Sequence, residues 1–341
     1  MPAAMAPAPQ PSLFDDGDAP VVTPARPDAE LQALAARLRV RWGGRLHLGT
    51  SSWHFPGWAG QVWARPVPEA LLSRAGLLAY ARHPLLNAVS LDRAFYRVLA
   101  EPEYAALAAQ VPEDFRFVVK APALLTDAQH RAATTAAPLG DNPAFLDAAL
   151  AASGVAAPAA QGLGPKLGVL VLQISPLPPR WLRDTAALHA QLAAAVTAMR
   201  EALAPRAPEA LIALELRDAA LLTPDLAALL RHLGARCALG LHDRMPPADA
   251  QLPMQRATWP GDLVCRWNLQ RGQRYAEARD AWAPFDRLQA PDPATRHTLA
   301  RVARATLDAG HRVFITINNK AEGSAPASVR ALAEALDALS P

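Results

Sequence analysis

From Leu46 onward, short apolar runs alternate with longer segments of helical spacing. The runs are LHLGT (46–50), LNAVSL (86–91), FRFVVKA (115–121), LGVLVLQI (167–174), LIALELR (211–217), RCALGLH (236–242), LVCRWN (263–268) and RVFITIN (312–318). Their length and content suit strands buried on both faces. Between them, residues 68–83, 179–203, 223–234 and 294–310 repeat apolar positions three and four residues apart, as a helix does, and 325–339 does the same after the last run. Thr223 before Pro224 reads as an N-cap followed by proline at the first helical position. Eight buried strands, each followed by a mostly helical connection, predict an α/β fold, a single (β/α)8 TIM-type barrel. A doubly wound open sheet is disfavoured, because no GxGxxG follows the first strand.

Two stretches stand outside the alternation. Residues 1–29 are rich in Pro, Ala and Asp and predict a disordered tail before a barrel domain spanning 30–341, with 30–42 as a short packed helix. The proline-rich stretch 245–260 reads as an irregular loop before the seventh strand.

Composition narrows the function classes. Hydrophobic residues are 51% of 341, enough for one large core, and the formal charge is only +3. That charge is too small for a protein that wraps duplex nucleic acid. Three of the 34 basic residues are lysine (Lys120, Lys166 and Lys320) and the rest are arginine, so an arginine is weaker evidence of function here and a lysine stronger. Cys237 and Cys265 lie far apart, outside any CxxC pair, and read as buried reduced thiols. With no secretion-like start and no apolar run of membrane-spanning length, the expectation is a soluble cytoplasmic protein.

In barrels of this type the chemistry sits at the carboxyl ends of the strands. The polar residues there are Ser51 with Trp53, then Asp92 with Tyr96, Lys120, Gln173, Glu215 with Arg217, His242, Arg266 with Asn268, and Asn318 with Asn319. Alternation puts Ala213, Glu215 and Arg217 on the inward face, opposite Ile212, Leu214 and Leu216. A glutamate within an apolar run needs a partner, which Arg217, Lys120 or Arg266 could supply. Glu215 and Lys120 are the candidate catalytic residues, the first as acid or base. The other ends named, His242 apart, are candidate substrate contacts. Lys120 has two further readings, a Schiff base with a carbonyl substrate or an anion contact. His242 and Asp243 could pair on a metal, but three or four converging ligands are not apparent, so no metal site is expected. GTSSW (49–53) carries Trp where a nucleophile elbow has its second glycine, and no helix follows. That argues against a nucleophilic serine. Gly49 then gives clearance, Ser51 and nearby backbone N–H groups contact an anion, and Trp53, Phe55 and Trp58 wall the site.

Several motifs then occur in a telling order: GTSSW with Trp58, DRAFYR (92–97), FRFVVKAP (115–122), LGVLVLQISP (167–176), ALELRD (213–218), VCRWN (264–268) and FITINNKAEGSAPASV (314–329). Over residues 45–340 the chain resembles the YecE-like family, domain of unknown function 72. The resemblance implies a TIM-type barrel and no assigned activity. It also marks departures: Ser90 stands where the family usually has Glu, Asp127 follows Thr126 where a His is usual, and Asn268 replaces a second His. These make the chain a divergent member, with altered or lost catalysis if those positions carry chemistry in relatives.

The leading expectation is an enzyme acting on a small anionic or phosphorylated ligand in the barrel mouth. The alternatives are a binding protein that has lost ancestral catalysis and, disfavoured, a nucleic-acid-binding or endonuclease-like protein. The sequence selects no reaction, cofactor or oligomeric state.

Overall fold

The computed structural model describes residues 21–131 and 138–339. Eight parallel strands form its centre: β1 Leu46–Thr50, β2 Ala88–Leu91, β3 Arg116–Lys120, β4 Leu167–Gln173, β5 Leu211–Glu215, β6 in two pieces (Arg236–Cys237 and Leu239–Leu241), β7 Leu263–Trp267 and β8 Val313–Ile317. Each pairs with its sequence neighbours, and β1 pairs with β8, Leu46 opposite Val313 through Thr50 opposite Ile317. The ring closes through β6. Its first piece pairs with β5 and its second with β7, the change of partner falling at Ala238. The expected barrel is therefore the observed one.

Two apolar shells explain why these runs become strands. Leu170, Leu172, Ile212, Leu214 and Leu216 face outward into the main core under the helices. Val118, Val169, Val171, Ala213, Ala238, Val264 and Phe314 form a separate cluster inside the ring. Both faces of each strand are thus covered, as parallel sheets require. The N-terminal floor is closed by His47, stacked on Phe314 with ring centroids 4.6 Å apart. Burial, with Arg116 and Arg312 adding to it, pushes His47 down to about 3, so the floor histidine is neutral.

Gly49 gives clearance, and what it clears is a neighbouring strand. A Cβ there would lie 1.9 Å from the Ala88 carbonyl oxygen. The same junction is pinned by the Tyr80 hydroxyl, which donates to Ala88 O at 2.9 Å and accepts from the Thr50 amide at 3.0 Å.

The helical segments form as the periodicity predicts, with two interruptions. Residues 68–83 give Glu69–Ala75 and Leu77–Tyr80, parted at Gly76; residues 179–203 give Pro179–Arg183 and Thr185–Leu203, parted at Asp184, whose side chain caps the second helix. Thr223 caps Pro224–His232 by accepting from Leu226 N at 3.2 Å. The stretch 245–260 is not an irregular loop: it holds the helix Ala248–Ala257, with Pro253 inside it. Its buried face, Ala248, Gln251 and Met254, is tied to β6 by Gln251 Nε2 donating to Gly240 O at 3.0 Å. Packing there outweighs the backbone bond that Pro253 cannot make.

Residues 1–20 of the expected tail lie outside the described residues. From Val21 on, the chain is laid on the barrel: Val22 is buried, and Ala25 N donates to Val62 O at 2.8 Å. The helix Ala29–Trp42 follows, capped by Asp28 and buried along Leu31, Leu34, Leu38 and Trp42. It joins the last helix, Ala325–Ala338, through Arg37–Asp337 and Arg330–Asp28 ion pairs, each 2.8 Å. Among the described residues no helix is long and apolar enough to cross a membrane.

Candidate functional site

Inward positions two residues apart on neighbouring strands meet at the C-terminal mouth. Glu215, at the end of β5, is fully buried and central. Its Oε1 accepts from Arg217 Nη1 at 2.5 Å and Asn268 Nδ2 at 2.7 Å, and its Oε2 accepts from Arg266 Nη1. Arg217 also donates to Gln173 Oε1 on β4 at 2.9 Å. Arg266 reaches across the ring to Asp92 Oδ1 at 2.6 Å. Burial alone would raise Glu215, but the charges of Arg217, Arg266 and Lys120 outweigh it and bring the carboxyl down to about 2. Arg266 is raised in turn: burial opposes its charge, and Asp92 and Glu215 prevail. Room for this network comes from β6, where a Cβ on Gly240 would stand 3.3 Å from Glu215 Cγ.

The departures at positions 90 and 268 become intelligible here. Ser90 Oγ donates to Asp92 Oδ1 at 2.7 Å. The carboxylate that meets Arg266 on this side thus comes from Asp92, two residues further along the same inward face, and Ser90 steadies it. Asn268 supplies one of the donors to Glu215, which fits an amide as well as an imidazole N–H. Asp127 follows the short helix Ala123–Thr126, and its carbonyl accepts from Asn142 Nδ2 at 2.7 Å.

Lys120 stands apart from this pairing. It is buried at the top of β3, and among the described residues its ammonium has no hydrogen-bond partner. The nitrogen lies 3.5 Å from the centre of the Phe95 ring. Burial is the main cause that lowers it to about 8, Arg266 and Arg217 adding to this and Asp92 and Glu215 opposing it. Lys320, just after β8, is a second buried ammonium, lowered to about 8 chiefly by burial. It donates to Asn318 Oδ1 at 3.3 Å and lies 4.2 Å from the Tyr275 ring centre. Asp92 is the carboxylate acting most strongly on both lysines. Lys166 differs: it donates to Ala108 O and Val111 O at 3.0 and 2.9 Å and pairs with Glu113 at 2.9 Å, tying down the end of the helix Glu101–Ala108. Sequence reasoning passed over Lys320, although the scarcity of lysine was a signal for it.

The remaining candidates are placed as follows. Ser51 Oγ is buried without a partner, while its amide, expected to face an anion, donates to Ile317 O at 3.0 Å as part of the barrel. Asn319 points away from the mouth: its Oδ1 accepts from Trp58 Nε1 at 3.0 Å and Ala325 N at 2.8 Å, latching β8 to the last helix. Trp53 and Trp58 are buried supports, Trp53 donating to Leu72 O at 3.1 Å. Tyr96 is exposed on the rim with its ring 5.6 Å from that of Phe95. The aromatic rings on the two ammonium groups are instead Phe95, Tyr275 and Phe285. His242 is lowered to about 4, first by burial and then by Arg217, and pairs with Asp243. Among the described residues no three His, Cys, Asp or Glu side chains converge as metal ligands. A cavity of about 440 Å³ lies at the other end of the barrel, lined by Arg236, Trp259, Leu263 and Val302. Its size suits a ligand, but its unpaired charges, Asp249, Arg256 and Arg301, are exposed and it holds no buried unpaired polar group among the described residues. The converging chemistry is at the mouth.

The family model described as protein of unknown function DUF72 matches residues 47–340. Among solved structures, a DUF72 family protein from Enterococcus faecalis V583 is 18% identical, with a TM-score of 0.55 over 87% of this chain and 96% of that one. A second structure of that protein gives a TM-score of 0.50. One from Thermotoga maritima MSB8 is 15% identical, with a TM-score of 0.49 over 86% and 99% of the two chains. No curated protein matches. With that model covering the whole barrel from His47 to the last helix, the chain belongs to the DUF72 family.

Proposed function

We propose that the C-terminal mouth of the barrel binds a small anionic or phosphorylated ligand, held by Lys120 and Lys320. The observation that carries this reading is the buried Lys120 ammonium, which lacks any oxygen partner among the described residues while every other cation of the site has one. A largely buried charge with no oxygen at bonding distance is costly, and an incoming anion would supply that partner. Ser51 Oγ, buried and unpartnered, is a further donor on the β1 side. Gln173, Arg217, Arg266, Asn268 and Glu215 form the platform beneath. With both its oxygens engaged, Glu215 acts in this reading by fixing the two arginines, and Asp92 is the carboxylate beside the ligand. The two free, buried thiols are consistent with a cytoplasmic protein.

The test is a thermal shift with inorganic phosphate against chloride at matched ionic strength. The expected result is a phosphate-dependent rise in Tm that is lost in Lys120→Met and reduced in Lys320→Met. A rise that persists in both variants, or none in the wild type, overturns the reading.

A further inference from the structure

We propose that the ligand of the mouth is an anionic aldehyde or ketone, and that Lys120 forms an imine with its carbonyl carbon while Lys320 holds its anionic group. The inference rests on the anion reading and adds a covalent step to it.

Four observations suit Lys120 to this step, one of which, the lowering to about 8, it shares with Lys320. Its nitrogen makes no hydrogen bond among the described residues, so no N–H must be surrendered before the lone pair is used. Lys166 has three oxygen partners and Lys320 has one. The amine is buried against Phe95, and burial together with the guanidinium of Arg266 disfavours the ammonium, with Asp92 opposing them. With the group lowered to about 8, the neutral amine is a substantial fraction at physiological pH. Finally, Asp92 is the carboxylate acting most strongly on Lys120 and can relay protons through water. Its Oδ1 is fixed by Ser90 and Arg266, and no hydrogen bond among the described residues reaches its Oδ2.

The step balances without an oxidant or reductant. The Nζ lone pair forms the C–N bond as the carbonyl π pair moves to oxygen. The two protons of the attacking nitrogen pass by way of Asp92 to that oxygen, which leaves as water when C=N forms. Phe95, lying over the nitrogen, shields the imine from bulk water. Lys320, on which Asp92 also acts, supplies the second point of attachment that selects carbonyl compounds bearing a carboxylate or phosphate.

The probe is pyridoxal 5′-phosphate, a phosphorylated aldehyde, added to the full chain and fixed with borohydride. Having only Lys120, Lys166 and Lys320 makes peptide mapping by mass spectrometry unambiguous. Lowering the amine from 10.5 to about 8 leaves on the order of a hundredfold more of it neutral at pH 7.5. Labelling of Lys120 should exceed that of Lys166, whose nitrogen is held by three oxygen partners, by about tenfold or more. Inorganic phosphate should compete. Lys320→Met should keep the adduct on Lys120 but raise the half-saturating probe concentration about tenfold, the loss of one charge-assisted contact. Lys120→Arg should abolish that adduct. Adduct spread evenly over the three lysines of the wild type, or labelling indifferent to phosphate, overturns the proposal; both readouts use the unmodified sequence. A phosphate-dependent Tm rise without preferential Lys120 labelling refutes the imine alone. The absence of that rise refutes the anion reading and the imine with it.

Discussion

Glu215→Gln removes one charge and leaves the shape of the site. In the wild type the carboxylate receives three side-chain donors, two of them guanidinium groups of arginines that are themselves buried. The glutamine has one acceptor oxygen and turns its NH2 toward an arginine N–H. Arg266 keeps Asp92 and Arg217 keeps Gln173, so the loss is partial for each. Removing one partner of a buried ion pair destabilises by about 3–5 kcal/mol. Proton linkage gives a separate figure. The carboxyl falls from 4.5 to about 2 on folding, which at 1.36 kcal/mol per pH unit is worth about 3 kcal/mol. Because the folded value is the lower one, this stability is fully present above 4.5. It is lost as the pH falls through the window from 4.5 to about 2, with about 2 kcal/mol gone by pH 3.

Urea unfolding at pH 7 and at pH 3 reads both figures. The variant should lose about 3 kcal/mol against the wild type at pH 7 and only about 1 kcal/mol at pH 3, so the two stability curves converge in acid. If the variant lies within about 0.5 kcal/mol of the wild type at pH 7, as for a surface substitution, the network is not the buried ion cluster described. Curves that stay parallel from pH 7 to pH 3 would refute the assignment of the acid response to Glu215.

Lys120→Met should stabilise the ligand-free protein by up to about 3 kcal/mol at pH 7: the folded pKa is the lower one, so wild-type stability rises between about 8 and 10.5, and the gain should vanish above that window in urea unfolding. Gly49→Ala should destabilise by about 3 kcal/mol or more, since the new methyl meets the backbone of β2 and not a movable side chain; a loss under about 1 kcal/mol by urea unfolding would show that the strands can part. Asn319→Ala should cost about 1–3 kcal/mol by leaving Trp58 Nε1 and Ala325 N unsatisfied, yet leave the phosphate-dependent Tm rise intact; loss of that rise would place Asn319 in the ligand site.

The barrel was legible because its strands are covered on both faces, which compresses each into a short apolar run with polar ends. Parity then gave Glu215 and Arg217 their inward face. Direction beyond the strand ends was not legible. Asn318 and Asn319 are adjacent in sequence, yet the first faces Lys320 and the second reaches back to Trp58, because the chain turns into a short 3-10 helix at Asn319. Trp53 and Trp58 looked like rim aromatics, whereas their indole N–H groups are drawn inward by Leu72 O and Asn319 Oδ1. Pro253 hid a helix, since local propensity argues against one and only the contact of Gln251 and Met254 with the barrel supports it. The break in β6 at Ala238 follows from closing the ring, a long-range event that no local pattern encodes.

Arginine fills nearly every basic position of this chain, and the exceptions can be compared for what lysine does there. At Lys166 a compact ammonium fits between two carbonyl oxygens and Glu113, where three separate donors serve a helix end. At Lys120 and Lys320 no such set of acceptors exists. A guanidinium at either place would be permanently charged, whereas a buried ammonium can shed its proton. Glu215, Arg217, Arg266 and Asp92 nearly satisfy one another and form a fixed base. Lys120 has no oxygen partner among the described residues and Lys320 only one, Asn318 Oδ1, a state that costs stability and that packing alone would remove. Stability is commonly given up where a site must engage something else. In the anion reading proposed above, the ligand would meet the two lysines, and the ion cluster of Glu215, Arg217, Arg266 and Asp92 would hold the geometry of the mouth.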